Sequence, residues 1–314
     1  MKVLSAVCVL IVLLAPWSVA QDTATSWEEL NMQFSQLYNQ GKFAEAAEVG
    51  ENALTFLKEN LPPEHPTLAT TFNNLGYVYF RIGDYAKAQA LYEQAIAKWE
   101  EILGPESPNL AESIYNLAEL YRVQGKYAEA EASHQQALEM RENVLGPAHP
   151  AVALSLNSLA TTYYTQEQYA QAEPLYTRAL EIREKAFGPA HPAVAESLNN
   201  LGFLSYKQNQ YEQAEALLQR AMAIWENALG PNHPNLAHTL NGLAQVYAAQ
   251  QKFEDAESTY QHALAIREEA FGADHPQVAE ILENLADLYQ QMGNAEKAEA
   301  LTSRAKAIRA EEKN

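Results

Sequence analysis

Apolar residues recur at helical spacing along most of this chain. In residues 65–106 they form two groups separated by a polar break: Leu68, Phe72, Leu75 and Tyr79, then Tyr85, Ala88, Leu91, Tyr92, Ala95 and Ile96. Separations of three or four residues place such positions on one face of a helix. No stretch alternates as a half-buried strand would. The pattern predicts an all-α fold.

The pattern returns every 42 residues. Each unit opens with a His-Pro or Ser-Pro pair, at His65-Pro66, Ser107-Pro108, His149-Pro150, His191-Pro192, His233-Pro234 and His275-Pro276. Proline suits the first position of a helix, where its missing N–H is not needed. A glycine follows each second apolar group, at Gly104, Gly146, Gly188, Gly230 and Gly272, and glycine commonly ends a helix. The period therefore predicts an array of helical hairpins and not one globular core.

Small residues also recur inside the units. Gly76, Ala118, Ala160, Gly202, Ala244 and Ala286 fall in the first predicted helices, and Ala88, Ala130, Ala172, Ala214, Ala256 and Ala298 in the second ones. Small side chains let two helix backbones approach closely. We interpret them, with the tyrosines at Tyr79 and its equivalents, as core positions.

The motifs resemble the tetratricopeptide repeat. Its leucine-glycine-x-x-tyrosine and alanine-x-x-x-aromatic signatures stand here as Leu75-Gly76-x-x-Tyr79 and Ala88-x-x-x-Tyr92. The 42-residue period exceeds the usual 34 residues and is similar to that of the kinesin light chain repeats and their bacterial relatives. The resemblance implies a right-handed α-solenoid of seven hairpins, six in residues 65–314 and an imperfect one within residues 21–64.

The first 20 residues have the features of a secretory signal peptide. Lys2 precedes the apolar residues 3–14, and Ser18-Val19-Ala20 provides small residues for cleavage before Gln21. The alternative is an uncleaved anchor, although the apolar run is short for a membrane span. Cleavage would remove the single cysteine, Cys8. We expect an exported, periplasmic or secreted bacterial protein with no stable membrane anchor after cleavage.

The formal net charge of −19 disfavours nucleic acid as a partner. Five histidines stand at unit junctions, one helical layer or more apart, so they cannot share a metal ion. No nucleophile elbow, phosphate loop or HExxH motif occurs. We therefore expect no metal, no cofactor and no catalytic site, and an enzyme such as a hydrolase is the least favoured function.

The expected function is binding of a protein or peptide, as a scaffold or adaptor, in a concave groove lined by the first helices. The alternative is a structural array that associates with itself. Asparagines recur in the middle of the first helices although asparagine is a mediocre helix former, and their amides can both donate and accept. Aromatic residues and a few cations follow them. The candidate groove residues are Asn73, Asn74, Tyr77, Arg81, Asn116, Arg122, Asn157, Tyr164, Asn199, Asn200, Phe203, Tyr206, Lys207, Asn241 and Asn284. An interhelical hydrogen bond is the other explanation for the asparagines.

Overall fold

The computed structural model describes residues 21–311. The segment interpreted as a signal peptide lies outside the described residues. All regular structure in the described range is helical, and the helices follow one another as hairpins. Their bounds are α1 Gln21–Asn39, α2 Phe43–Asn60, α3 Pro66–Ile82, α4 Tyr85–Leu103, α5 Pro108–Val123, α6 Tyr127–Leu145, α7 Pro150–Thr165, α8 Tyr169–Phe187, α9 Pro192–Lys207, α10 Tyr211–Leu229, α11 Pro234–Ala249, α12 Phe253–Phe271, α13 Pro276–Gln291 and α14 Ala295–Glu311.

The predicted helix starts are confirmed. Each of the six prolines is the first residue of a helix, and the residue before it is the N-cap. At the histidine caps the ring Nδ1 accepts a hydrogen bond from the backbone N–H two residues on, for example from Ala193 to His191 at 3.1 Å. Ser107 does the same with its hydroxyl, at 3.5 Å from Leu110 N. The junction histidines therefore satisfy otherwise unpaired N–H groups at the helix starts.

The described chain forms two compact units, residues 21–166 and residues 167–311. The N-terminal unit holds α1–α7. In it α2 packs on α3, α4 on α5 and α6 on α7, so each hairpin rests on the next. Its core contains Leu57, Phe72, Tyr92, Trp99 and Leu110, all at most 5% exposed.

The C-terminal unit holds α8–α14 and repeats the same arrangement. Here α8 packs on α9, α10 on α11 and α12 on α13. Leu198, Trp225, Leu236, Tyr260 and Ile266 form its main core. A smaller cluster that includes Leu282 and Ile308 closes the last hairpin.

The glycines inside the first helices sit at close helix–helix contacts. A Cβ added to Gly202 would lie 2.7 Å from Cγ of Leu218 on the paired helix, and one added to Gly76 would lie 2.9 Å from the Tyr92 ring. Such distances are too short for carbon atoms in contact. The sequence-based interpretation of these small residues as packing positions agrees with this geometry.

Candidate binding faces of the first helices

Within each unit the first helices of successive hairpins touch one another, α3 with α5, α5 with α7, α9 with α11 and α11 with α13. Side chains that are half-buried or exposed on these helices form a surface that we call the first-helix face. In α3 it consists of Thr70, Asn73, Asn74, Tyr77, Phe80 and Arg81, and in the other first helices of the equivalent residues at multiples of 42. All fifteen candidate residues from the sequence occupy these positions of the repeat, and two of them, Asn199 and Asn241, are buried there.

The asparagines occupy two adjacent positions of the repeat. Asn157, Asn199 and Asn241 are equivalent to Asn73, whereas Asn116, Asn200 and Asn284 are equivalent to Asn74. The two positions point to different neighbours, because consecutive residues of a helix lie on different sides of it.

Hydrogen bonds join one position to the other across neighbouring first helices. Asn116 Nδ2 donates to Asn73 Oδ1 at 3.0 Å in the N-terminal unit. Asn284 Nδ2 donates to Asn241 Oδ1 at the same distance in the C-terminal unit. These bonds hold successive hairpins in register, which is the interhelical role weighed above.

Asn199 and Asn241 are buried, with 5% and 3% of their surface exposed. Asn199 Oδ1 accepts from Thr239 Oγ1 at 3.0 Å, and Asn241 Nδ2 donates to Glu280 Oε1 at 3.3 Å. Asn74, Asn157 and Asn200 are half-buried. Direct contact of the asparagines with a ligand stays a prediction.

An aromatic cluster with a cation covers the end of α3. The ring centroids of Tyr77 and Phe80 lie 6.1 Å apart, and Phe80 lies 6.1 Å from Tyr85. The guanidinium carbon of Arg81 stands 4.4 Å from the centre of the Phe43 ring. Arg81 is exposed and forms no ion pair with any carboxylate among the residues described.

A second cluster of this kind covers the end of α9, three repeats later. Tyr206 and Tyr211 have ring centroids 6.0 Å apart, and Phe203 lies 4.8 Å from the ring of His238. Lys207 is exposed and, like Arg81, has no carboxylate partner in the described part of the chain. Arg81 thus contacts an aromatic ring in the N-terminal unit, and Lys207 lies one helical turn after Phe203 on α9 in the C-terminal unit.

Arg122 differs, because its charge is already neutralised. Its Nη2 donates to Glu119 Oε2 at 2.7 Å. His134, fully buried, faces the same carboxylate, with Nε2 at 3.4 Å from Oε1. Burial alone would raise the pKa of Glu119, but His134 and Arg122 outweigh it and lower this pKa to about 2. Tyr164 is half-buried on α7.

The sequence analysis missed a row of buried arginines on the second helices. Arg141, Arg183 and Arg267 are equivalent residues and are 3%, 5% and 6% exposed. We call the place that they share the arginine position; Trp99 and Trp225 fill it in other repeats. In the sequence these arginines resemble ordinary charges on a helix surface. Their alternation with tryptophan was the signal that the position is buried.

Two of these arginines are well paired. Nη1 of Arg141 donates to Ser155 Oγ at 2.8 Å, and its Nη2 donates to Glu112 Oε2 at 2.9 Å. Arg183 repeats this with Ser197 Oγ at 2.8 Å and Glu196 Oε2 at 3.2 Å. Each guanidinium thus links its own hairpin to the next first helix.

Arg267 lacks this set of partners. Among the described residues it forms no ion pair and one side-chain hydrogen bond, from Nη1 to Gln277 Oε1 at 2.8 Å. Its guanidinium carbon lies 5.6 Å from the centre of the Phe271 ring. Burial lowers the pKa of its guanidinium, while Glu280 acts in the opposite direction.

The described residues contain no group of three or more histidine, cysteine, aspartate or glutamate side chains that could hold a metal ion. In the same part of the chain, no helix has the length and apolar character needed to cross a membrane.

Solved structures with this arrangement include kinesin light chain-like proteins. BtubC from P. vanneervenii is 25% identical, with a TM-score of 0.59 over 80% of this chain and 90% of BtubC. A putative kinesin light chain with nearly identical repeats from Podospora anserina is 26% identical, with a TM-score of 0.57 over 66% of this chain and 99% of that one. The apo form of RapI shares the fold, at 16% identity and a TM-score of 0.70 over 91% and 98%. None of the curated proteins compared with this chain matches it.

A family model described as the tetratricopeptide repeat matches residues 35–101, 68–143, 110–185, 164–215, 193–269 and 242–311. These matches overlap and span all the hairpins from the end of α1 onward. With the hairpin geometry, they show that this chain belongs to the tetratricopeptide repeat family.

Proposed function

We propose that this protein is a non-enzymatic scaffold that binds a protein or peptide on the first-helix face of each unit. The observation that carries the proposal is the pair of aromatic clusters around Tyr77 and Phe203, each with a cation that lacks a carboxylate partner. In a chain with a net charge of −19, five other exposed cations pair with acidic residues: Lys42, Lys87, Arg220, Lys252 and Lys297. Four exposed lysines also form no ion pair among the described residues but lie outside the two clusters: Lys58, Lys126, Lys185 and Lys306. Arg81 and Lys207 are available to a ligand.

The chemistry of the clusters fits a peptide segment. Aromatic side chains provide large contact areas at low entropic cost. A nearby cation can meet an acidic side chain or a chain end. A structure of the same fold, at 17% identity and a TM-score of 0.59, is that of a Rap protein complexed with competence and sporulation factor, which is a precedent for a ligand bound by this fold.

Paired charge variants test this proposal. Affinity capture from the exported fraction of the host should recover partners with the wild-type chain. The double variant Arg81→Ala with Lys207→Ala should recover about tenfold less of them, because a hydrogen bond to a charged group contributes about 1.5–3 kcal/mol. Lys185→Ala combined with Lys306→Ala removes the same charge from second helices and should leave recovery unchanged. Equal recovery with both double variants would contradict the proposed site.

We also propose that the protein acts after export, on the basis of residues 1–20. Their short apolar run and small residues before Gln21 support cleavage by a signal peptidase. N-terminal sequencing of the protein isolated from its host should begin at Gln21. A sequence that begins at Met1 would favour the anchored alternative.

A further inference from the structure

The asparagine of the first helices is followed by a different residue in each repeat that keeps it. The pairs are Asn73-Asn74, Asn157-Ser158, Asn199-Asn200 and Asn241-Gly242. The last is the single asparagine-glycine pair in the sequence. Glycine has no side chain to hinder attack by its backbone nitrogen on the amide of the preceding asparagine. Asn241 is therefore the asparagine with the highest intrinsic tendency to lose ammonia.

The loss of ammonia from this pair is a reaction with water. The backbone nitrogen of Gly242 forms a bond to Cγ of Asn241 and gives up its proton, while the side-chain nitrogen of Asn241 leaves as ammonia. Water then opens the cyclic imide at either carbonyl carbon, so that the product is aspartate or isoaspartate. No atom is oxidised or reduced, and solvent water is the co-reactant. What the reaction needs from the protein is freedom of the backbone at Asn241.

The folded structure withholds that freedom. Gly242 lies inside α11, where its N–H takes part in the backbone hydrogen bonds of the helix. Asn241 is 3% exposed, and its amide is held at both ends. Its Nδ2 donates to Glu280 Oε1 at 3.3 Å, and its Oδ1 accepts from Asn284 Nδ2 at 3.0 Å. Closure of the imide ring requires Asn241 to leave the helical conformation and to break both bonds.

Phe203 explains the glycine at this place. A Cβ added to Gly242 would lie 2.6 Å from two atoms of the Phe203 ring, so the ring could not rest where it does against a larger residue. The Phe203 ring also packs on His238, with centroids 4.8 Å apart. The close contact of α9 with α11 therefore places the reactive pair under an aromatic side chain.

Neither product can restore the native contacts of Asn241. Aspartate at this position has no N–H to donate to Glu280 and places a second carboxylate against it, which is unfavourable for a buried group. Isoaspartate leads the main chain through the side-chain carbons. This lengthens the backbone within α11 and disrupts the hydrogen bonds between residues four apart. Either product weakens the contact between α11 and α13.

We propose that Asn241-Gly242 is a deamidation site that is closed in the folded chain and reacts when α11 opens, so that the reaction makes the loss of the α11–α13 contact permanent. Asn199 provides a matched site. It holds the same position one repeat earlier, is 5% exposed and is followed by asparagine. The modification needs no bound peptide and is therefore independent of the proposed function.

Peptide mapping by mass spectrometry on the full-length chain tests the site. In mildly alkaline buffer with guanidinium chloride, Asn241 should deamidate well before Asn199. Without denaturant, the rate at Asn241 should fall by about a hundredfold or more, because a buried helix is open for less than about one part in a hundred of the time. Equal rates at Asn241 with and without denaturant, or equal rates at the two asparagines in the unfolded chain, would overturn the proposal.

The variant Gly242→Asn isolates the role of the glycine. It creates the asparagine pair that is found at Asn199, and it is compared with the wild-type chain in guanidinium chloride, where its effect on folding does not matter. The rate at Asn241 should fall to that of Asn199. A rate as high as in the wild-type chain would overturn the proposal.

The consequence of the reaction is tested with Asn241→Asp and its control, Asn199→Asp. Asn199 Oδ1 accepts from Thr239 Oγ1, a bond that aspartate can also accept. Aspartate at position 241 loses a donor and faces Glu280. Urea unfolding should therefore occur at a lower midpoint in Asn241→Asp than in Asn199→Asp. Equal midpoints would mean that the folded chain tolerates the modification, and would overturn the proposal that it makes the opening permanent.

Discussion

Arg141 in the N-terminal unit and Arg267 in the C-terminal unit hold the same position in their hairpins, yet their surroundings differ. Both are more than nine-tenths buried. Each guanidinium lies over an aromatic ring. Arg141 also has an acidic partner, a hydroxyl and a carbonyl, whereas Arg267 has one amide oxygen. The repeat therefore sets the backbone at this position, while the side chains around it decide how many partners the charge has.

Removal of the two charges should have different effects on stability. Arg141→Met breaks bonds to a carboxylate and a hydroxyl, so the free energy of unfolding should fall by about 1.5–3 kcal/mol. Arg267→Met removes a buried charge without a counter-ion and should leave stability unchanged or raise it by about 1 kcal/mol. Urea unfolding of both variants measures this. Equal losses would mean that Arg267 has a stabilising partner after all.

The N-terminal site can also be made to resemble the C-terminal one. Glu112→Gln takes the counter-ion from Arg141 and should cost about 0.5–1.5 kcal/mol, because Glu112 is itself half-exposed. Glu139→Gln, at an exposed position of α6, is the charge-matched control. If Glu112→Gln is as stable as Glu139→Gln, then Glu112 does not stabilise the fold through Arg141.

The helix caps offer a smaller contrast between the units. All first helices that start in the C-terminal unit use a histidine cap, while the N-terminal unit also uses Ser107. His191→Ala should lower stability by about 1 kcal/mol, and His191→Ser should restore most of it. Thermal unfolding of the two variants checks this. If serine is as harmful as alanine, then the stacking of Phe187 on His191, at 4.6 Å, matters more than the cap.

The smallest expected difference lies in the turns between paired helices. Gly83 and Gly125 of the N-terminal unit have φ angles of 91° and 72°, whereas Gln251 of the C-terminal unit adopts 61° at the equivalent position. Gln251→Gly should raise stability by about 0.5 kcal/mol, as relief of strain exceeds the added chain entropy. Gln250→Gly, one residue earlier at φ −82°, should lower it. If both variants were more stable than the wild type, then relief of backbone strain at Gln251 would not be the cause.

The helices could be predicted closely because their signals are local. Pro66 and its five equivalents mark each start through the geometry of the proline ring, and apolar spacing marks each buried face. The partners of the asparagines were harder to predict. Asn73 and Asn116 meet because two helices 43 residues apart lie side by side, and only the packed structure assigns adjacent asparagines to different bonds.

The arginine position could not be inferred from helix patterns. Arg267 becomes buried because α13 packs beside α12, not because of anything within five residues of it. A column-by-column comparison of the repeats would have helped, since Trp225 fills the same position one repeat earlier. The lack of a carboxylate paired with Arg267 is harder still to predict from the sequence, because it depends on the hydrogen bond between Asn241 and Glu280.

Contact between successive first helices also sets the distance between neighbouring hairpins along any peptide bound on the first-helix face. Packed helices are about 8–10 Å apart, and an extended peptide advances about 3.3 Å per residue. One hairpin therefore corresponds to about three ligand residues. Phe203 on α9 and side chains at the equivalent positions of α11 or α13 would contact ligand side chains about three to six residues apart. The 42-residue period therefore fixes the spacing of the ligand residues that successive hairpins contact. Moving a contact residue to the equivalent position of the next repeat would change that spacing by about three ligand residues.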